Sequence, residues 1–247
     1  MPELSSEPKF LEPLLGVAFD LDGTLVLSHH DFVRIRSEVI RLAERHGVMP
    51  GHLSVHEPVH RIVESAREAM RNANLPDGEL WRFESEYQKA IDAIELEALP
   101  RTVVRPGAAE LLKGLEGRGF RLGILTRSSE AFARAALTRT GLGPFFAYLR
   151  SRSAPGPAKP SPEALLALLH EMGVPTERAL FVGDHLLDAE CARAARVRFY
   201  ALLPDPSEKE DLAVAAERFR TSGASAIAQD LPQLARFLAV APAARLA

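Results

Sequence analysis

A single cysteine, Cys191, occurs in 247 residues, so the chain can form no internal disulfide and suits a reducing cytoplasm. No apolar run approaches the roughly 20 residues that cross a bilayer as a helix, which argues against a membrane partner. An excess of positive charge is missing too: the formal net charge is -3, leaving no basic field to hold nucleic acid. The opening stretch, "MPELSSEPKF", lacks a basic segment followed by an apolar one, so no secretory signal is expected. No internal repeat or interface stripe is readable, and a monomer or weak homodimer is expected. What remains is ordinary for a globular chain: 47% hydrophobic and 26% charged residues can build a core and argue against disorder. This length makes one generous domain, or a core domain with a smaller second one.

Four short apolar runs read as buried strands: "LLGVAFDL" (14–21), "FRLGILT" (120–126), "RALFVGD" (178–184) and "RFYALL" (198–203). Between and after them, stretches 107–119, 129–141, 161–173 and 186–196 carry apolar residues at helical spacing. Strands alternating with helices of this length mean βαβ units. The fold class is therefore α/β, a Rossmann-like parallel sheet with helices on both faces. Ligands of such sheets sit outside the carboxyl ends of the strands, where Asp20, Asp22, Thr126 and Asp184 would gather. The Pro-, Gly- and Ser-rich tract "SRSAPGPAKPSP" (151–162) reads as a loop.

From about His30 to Pro100 the alternation stops. Only helical spacing is found there, predicting a small all-helical domain over 28–100 and a core domain of 1–27 and 101–247. Trp81, Phe83 and Tyr87 are expected to pack inside the helical domain. His46, His52, His56 and His60 show no metal-ligand spacing. Cys191, in an Ala-rich helix, reads as a small core residue.

The first strand ends in "FDLDGT", two aspartates one residue apart. Residues i and i+2 of an extended chain project to the same side, so Asp20 and Asp22 would crowd two negative charges. A cation, a shared proton or plain exposure must compensate. Singly, this pair, Thr126 in "ILTRSS", Lys159 in "AKPSPEAL", and Asp184 with Asp188 in "VGDHLLD" read as turns, helix caps and a solvated lysine. In this order, at successive strand ends, they resemble the motifs of the haloacid dehalogenase superfamily. The helical insert after the first motif resembles the phosphoglycolate phosphatase and β-phosphoglucomutase type, in which it forms a cap. The resemblance spans roughly 14–240.

That resemblance implies a magnesium-dependent phosphatase acting on a small phosphate monoester, phosphoglycolate-like or a sugar phosphate, through an aspartyl phosphate. Asp20 would be the nucleophile and a ligand of Mg2+. Asp22 would serve as acid and base, its main-chain carbonyl also ligating the metal. Thr126 and the main-chain N–H of Arg127 would hold phosphoryl oxygens, and Lys159 would neutralise charge. Asp184 and Asp188 would complete the metal site. A carboxylate can split one hard displacement at phosphorus into two easier ones, and magnesium favours oxygen ligands. The partner would be a small phosphorylated metabolite, because a closing cap leaves a small pocket. His29, His30 and Arg34, with Arg36 nearby, would read its identity, Arg being suited to a second anionic group.

Dehalogenases of this superfamily lack the second carboxylate of the first motif, so Asp22 argues against them. A phosphomutase would use the same groups, and a non-catalytic binding module on the scaffold remains a third reading. Three residues depart from the family pattern. His185 replaces a small or hydroxylated residue, Leu27 a frequent acidic one, and Arg196 a frequent glycine in the last helix-to-strand turn.

Overall fold

The computed structural model describes residues 13–205 and 211–239. The N-terminal stretch read for a secretory signal, and the outer ends of the expected core domain, lie outside the described residues. In chain order the elements are β1 (Gly16–Phe19), β2 (Val26–Leu27), α1 (Phe32–Arg45), α2 (Val59–Asn72), α3 (Asp77–Ala98), β3 (Val103–Val104) and α4 (Ala108–Glu116). They continue with β4 (Arg121–Leu125), α5 (Glu130–Thr140), β5 (Tyr148–Arg150), α6 (Pro162–Met172) and β6 (Ala179–Gly183). Then follow α7 (Leu186–Ala194), β7 (Arg198–Leu202), α8 (Leu212–Thr221), β8 (Ala226–Ala228) and α9 (Leu231–Phe237).

The chain divides into two compact units, one running up to Ser28 and resuming at Thr102, the other His29–Arg101. In the first, the main sheet has the order β5-β4-β1-β6-β7-β8, with every pair parallel. Alternate side chains of each strand serve opposite faces. Val17 and Phe19 of β1, Leu180 and Val182 of β6, and Tyr200 and Leu202 of β7 pack with α4, α5 and α9. Ala18, Phe181, Phe199 and Ala201 pack with α6, α7 and α8 on the other side. Burial on both faces explains why these strands read as continuous apolar runs. Each large side chain so buried contributes about 1.5–3 kcal/mol.

The strand order reverses at β1: the chain adds β4 and β5 on one side, then β6, β7 and β8 on the other. Crossover helices on either side of such a reversal diverge and leave a crevice at the strand carboxyl ends. Separately, β2 and β3 form a short antiparallel pair, Val26 opposite Val104 and Leu27 opposite Val103. The chain thus leaves and re-enters this unit side by side.

The second unit is three helices around Ile35, Val39, Leu42, Ile62, Ala66, Met70, Phe83, Tyr87, Ile91 and Ile94. Phe83 and Tyr87 are buried as expected, but Trp81 is 71% exposed and corrects the reading that it packs inside. Two positions before Phe83, it lies about 200° around the helix from the buried stripe. Among the described residues no helix is long and apolar enough to cross a membrane.

Candidate active site

Asp20 directly follows β1, its N–H bonded to the carbonyl of Val182 at 2.8 Å. Only 8% of it is exposed. The Lys159 ammonium lies 2.7 Å from Asp20 Oδ1 and 2.7 Å from Asp188 Oδ1, and 5.6 Å from the centre of the Phe181 ring. Asp20, Asp184 and Asp188 offer oxygens that all lie within 4.8 Å of one another. The sequence-predicted residues Asp20, Lys159, Asp184 and Asp188 are thus brought together from the ends of β1 and β6, the start of α7, and the loop before α6.

So many charges in so little water perturb one another. Burial pushes the Asp20 carboxyl up to about 7, with Lys159 pulling it down and Asp188 pushing it up. Asp184 is raised well above the usual carboxylate range, by burial first and then by Asp20 and Asp188. For Lys159, burial works to lower the value, but Asp188 and Asp20 together outweigh it and hold it above the ordinary lysine value. One ammonium does not balance three carboxylates. An all-oxygen donor set with surplus negative charge suits a hard divalent cation, so the residues fit magnesium.

Asp22 lies outside that cluster of three. Its carboxylate accepts from the Ser28 N–H at 3.1 Å and from the Ser28 hydroxyl. The two aspartates of the first motif therefore have different partners, Lys159 for one and Ser28 for the other. Between Asp22 and Thr24, Gly23 takes φ 84°, open to a residue without Cβ. A Cβ there would lie 2.1 Å from Asp184 Oδ2. Thr24 donates its hydroxyl to Asp184 Oδ1 at 2.5 Å. At the end of β6, a Cβ on Gly183 would lie 2.3 Å from Asp188 Oδ2.

Thr126 directly follows β4, with its N–H on the Arg150 carbonyl at 2.9 Å, and its Oγ1 accepts from the Ser128 N–H at 3.1 Å. Arg127 follows, and its guanidinium donates to the Lys159 carbonyl. His185 caps α7: its Nδ1 accepts from the Leu187 N–H at 3.1 Å, while Asp188 Oδ2 accepts from the His185 N–H at 3.1 Å. The imidazole thus does the work of the small hydroxylated residue it replaces. Burial lowers its pKa and so favours the neutral ring.

Two site residues escaped sequence reading. Ser28 carries no signal of its own beyond following the first motif. Arg105, 3% exposed, donates to the carbonyls of Gly23 and, at 2.6 Å, Leu203, while its N–H bonds the Leu25 carbonyl at 2.9 Å. It ties the first-motif turn to the end of β7, and nothing local in "VVRPG" announces it. The candidate recognition residues belong to the helical unit. His29 is exposed, and His30 stacks edge-on against Phe32 with centroids 5.8 Å apart. Arg34 makes a two-pronged pair with Glu97, at 2.5 and 3.1 Å.

A doubly wound sheet with an acidic cluster and a buried lysine at its switch point is a frame for group transfer on an anion. The sequence pattern of the haloacid dehalogenase-like hydrolases matches residues 15–196. Phosphoglycolate phosphatase 1 of Pseudomonas aeruginosa is 34% identical over 204 residues, covering 80% of this chain and 73% of that protein. The phosphoglycolate phosphatase of Pseudomonas fluorescens is 33% identical, covering 75% and 68%. In structure, a hydrolase from Pseudomonas syringae superposes with a TM-score of 0.62 at 22% identity, covering 92% of this chain and 100% of that one. The chain belongs to the haloacid dehalogenase-like hydrolases, of the phosphoglycolate phosphatase and β-phosphoglucomutase type. By class it is a phosphoric monoester hydrolase.

Proposed function

We propose that this enzyme hydrolyses a small phosphorylated metabolite, phosphoglycolate-like or a sugar phosphate, with Mg2+ and through an aspartyl phosphate on Asp20. The observation that carries the reading is the Lys159 ammonium, 2.7 Å from both Asp20 and Asp188 within the three-carboxylate cluster. Asp20 Oδ attacks phosphorus as the bond to the leaving oxygen breaks, and Asp22 gives that oxygen its proton. Asp22 then takes a proton from the water that attacks the aspartyl phosphate, freeing phosphate and restoring Asp20. Lys159, the Thr126 hydroxyl and the Arg127 N–H hold the phosphoryl oxygens, because charge and position are most of the problem in phosphoryl transfer. Asp20, Asp184 and the Asp22 carbonyl, supported by Asp188, would hold the magnesium ion, which offsets the charge of the phosphate.

The unit His29–Arg101 acts as the cap that reads the substrate, on the support of its insertion point after the first motif. His29, His30 and Arg34 are the candidate readers. Arg34 would have to exchange Glu97 for a substrate anion. A single buried cysteine supports placing the enzyme in the cytoplasm.

Release of free phosphate from a panel of phosphorylated metabolites with magnesium is the test, with Asp20→Asn as the control. The variant should fold normally and lose turnover at least about a thousandfold, as removal of a covalent nucleophile does. Full activity in Asp20→Asn ends the proposed mechanism. Phosphoryl returned to a sugar hydroxyl, with no phosphate freed, would make the enzyme a mutase.

A further inference from the structure

Lys159 is paired with both Asp20 and Asp188, yet it sits in a stretch of chain with no helix or strand to place it. Between β5 and α6, residues 151–161 form neither helix nor strand and include Pro155, Gly156, Pro157 and Pro160. A lysine carries its charge on a flexible four-carbon stem, so the placement of its backbone matters as much as its side chain. Productive sites hold their groups to within about 0.5 Å.

The loop is laced to the end of β4 by two arginines. The Arg127 guanidinium donates to the carbonyl of Lys159 itself. Arg152, at the other end of the loop, donates its Nε to the Arg127 carbonyl at 3.0 Å and its N–H to the Ser128 carbonyl at 3.1 Å. The segment that holds Thr126 and the loop that holds Lys159 are therefore cross-tied at both ends of the loop. A planar guanidinium suits this, since its rigid fork loses less freedom per hydrogen bond than an ammonium would.

We infer that the Arg127 side chain is a positioning residue for Lys159, tying the Lys159 carbonyl to the Thr126 loop so that the ammonium stays between Asp20 and Asp188. The role is separate from that of the Arg127 main-chain N–H, and it rests on the reading of Lys159 as the phosphate-neutralising cation. Without the guanidinium the carbonyl loses this donor, the loop relaxes, and the ammonium spends time away from the two carboxylates.

Two measurements test it. The first needs neither metal nor substrate: the rate of amine acetylation of Lys159, followed by peptide mass spectrometry against exposed Lys113 as an internal reference. Lys159 is 3% exposed and should be protected in the unaltered protein. Arg127→Met should raise its relative rate about tenfold or more at unchanged far-UV circular dichroism, a local opening. The second is a double-mutant cycle on p-nitrophenyl phosphate hydrolysis. Arg127→Met alone should cost about 10- to 100-fold in kcat/KM, the scale of a small misplacement. In a Lys159→Met background it should cost less than about twofold, because the group it positions is gone. Should Arg127→Met fail to fold, Arg127→Gln serves in both. Unchanged protection of Lys159, or the full Arg127 cost persisting without Lys159, overturns the inference. If Lys159→Met keeps full activity, the reading of Lys159 as the phosphate-neutralising cation falls, whereas the acetylation rate still tests the positioning by Arg127.

Discussion

Asp22 accepts two hydrogen bonds from one residue, Ser28, through its main-chain N–H and through its hydroxyl. Ser28 is the last residue of the core unit before the helical insert begins. The pair answers the question raised by two adjacent aspartates. Asp20 is held by a buried cation, Lys159, while Asp22 accepts from both donors of Ser28.

A carboxylate that must hand over a proton needs a fixed direction, and the Ser28 hydroxyl supplies part of it. Ser28→Ala should keep the main-chain donor and lose the other. We expect kcat to fall about tenfold on alkyl phosphates, equivalent to about 1.4 kcal/mol of barrier. The fall should be smaller on p-nitrophenyl phosphate, whose leaving group needs little help. Steady-state kinetics on both substrates measures this. Equal losses would remove Asp22 orientation as the cause.

Metal and proton should compete for the acidic cluster. The folded Asp20 carboxyl is raised to about 7 from 3.8, chiefly by burial, so the folded state binds the extra proton more tightly. In chelator-treated protein this group therefore takes stability away as pH rises from 3.8 towards 7. Magnesium reverses the sign, and its gain in Tm should be larger at pH 8 than at pH 6. At a hundredfold excess over Kd the gain is about 2.7 kcal/mol, or roughly 5–10 °C at this chain length. Asp184→Asn should shrink it, with partial recovery at higher metal. Differential scanning fluorimetry with and without chelator measures both, and a gain that ignores pH would contradict the donor assignment.

Arg196 stands at φ 56°, just past α7. A left-handed conformation costs a residue with Cβ about 1–2 kcal/mol, partly offset by the freedom glycine adds to the unfolded chain. Arg196→Gly should stabilise the protein by about 0.5–1 kcal/mol and raise Tm by roughly 1–4 °C. Turnover should not change. Thermal denaturation followed by circular dichroism, with one activity assay, is sufficient.

The strands that carry the chemistry were legible because both faces of each are buried. Val17-Ala18-Phe19 and Leu180-Phe181-Val182 leave no polar alternation to misread. The three-residue β5 and β8, and the two-residue pair of β2 and β3, escaped notice because so few residues cannot establish a period. Strand ends alone point to Asp20 and Asp184 among the four clustered residues, and Lys159 and Asp188 are legible only through the resemblance of the motif order to the haloacid dehalogenase superfamily. Arg105 and Ser28 were not legible, because their partners are main-chain carbonyls and a carboxylate brought close by folding. Trp81 is the reverse case: an apolar residue in an amphipathic helix reads as core, though the stripe through Phe83, Tyr87, Ile91 and Ile94 passes it by.

Gly23 and Gly183 are the mould in which the acidic cluster is cast. Each leaves empty the volume that a carboxylate fills, Asp184 at one and Asp188 at the other. Even one methyl group at either place would displace an oxygen by an ångström or more, and magnesium keeps its ligands to about 2.0–2.1 Å. The present placing of Asp184 and Asp188 therefore depends on two residues that carry no functional group at all.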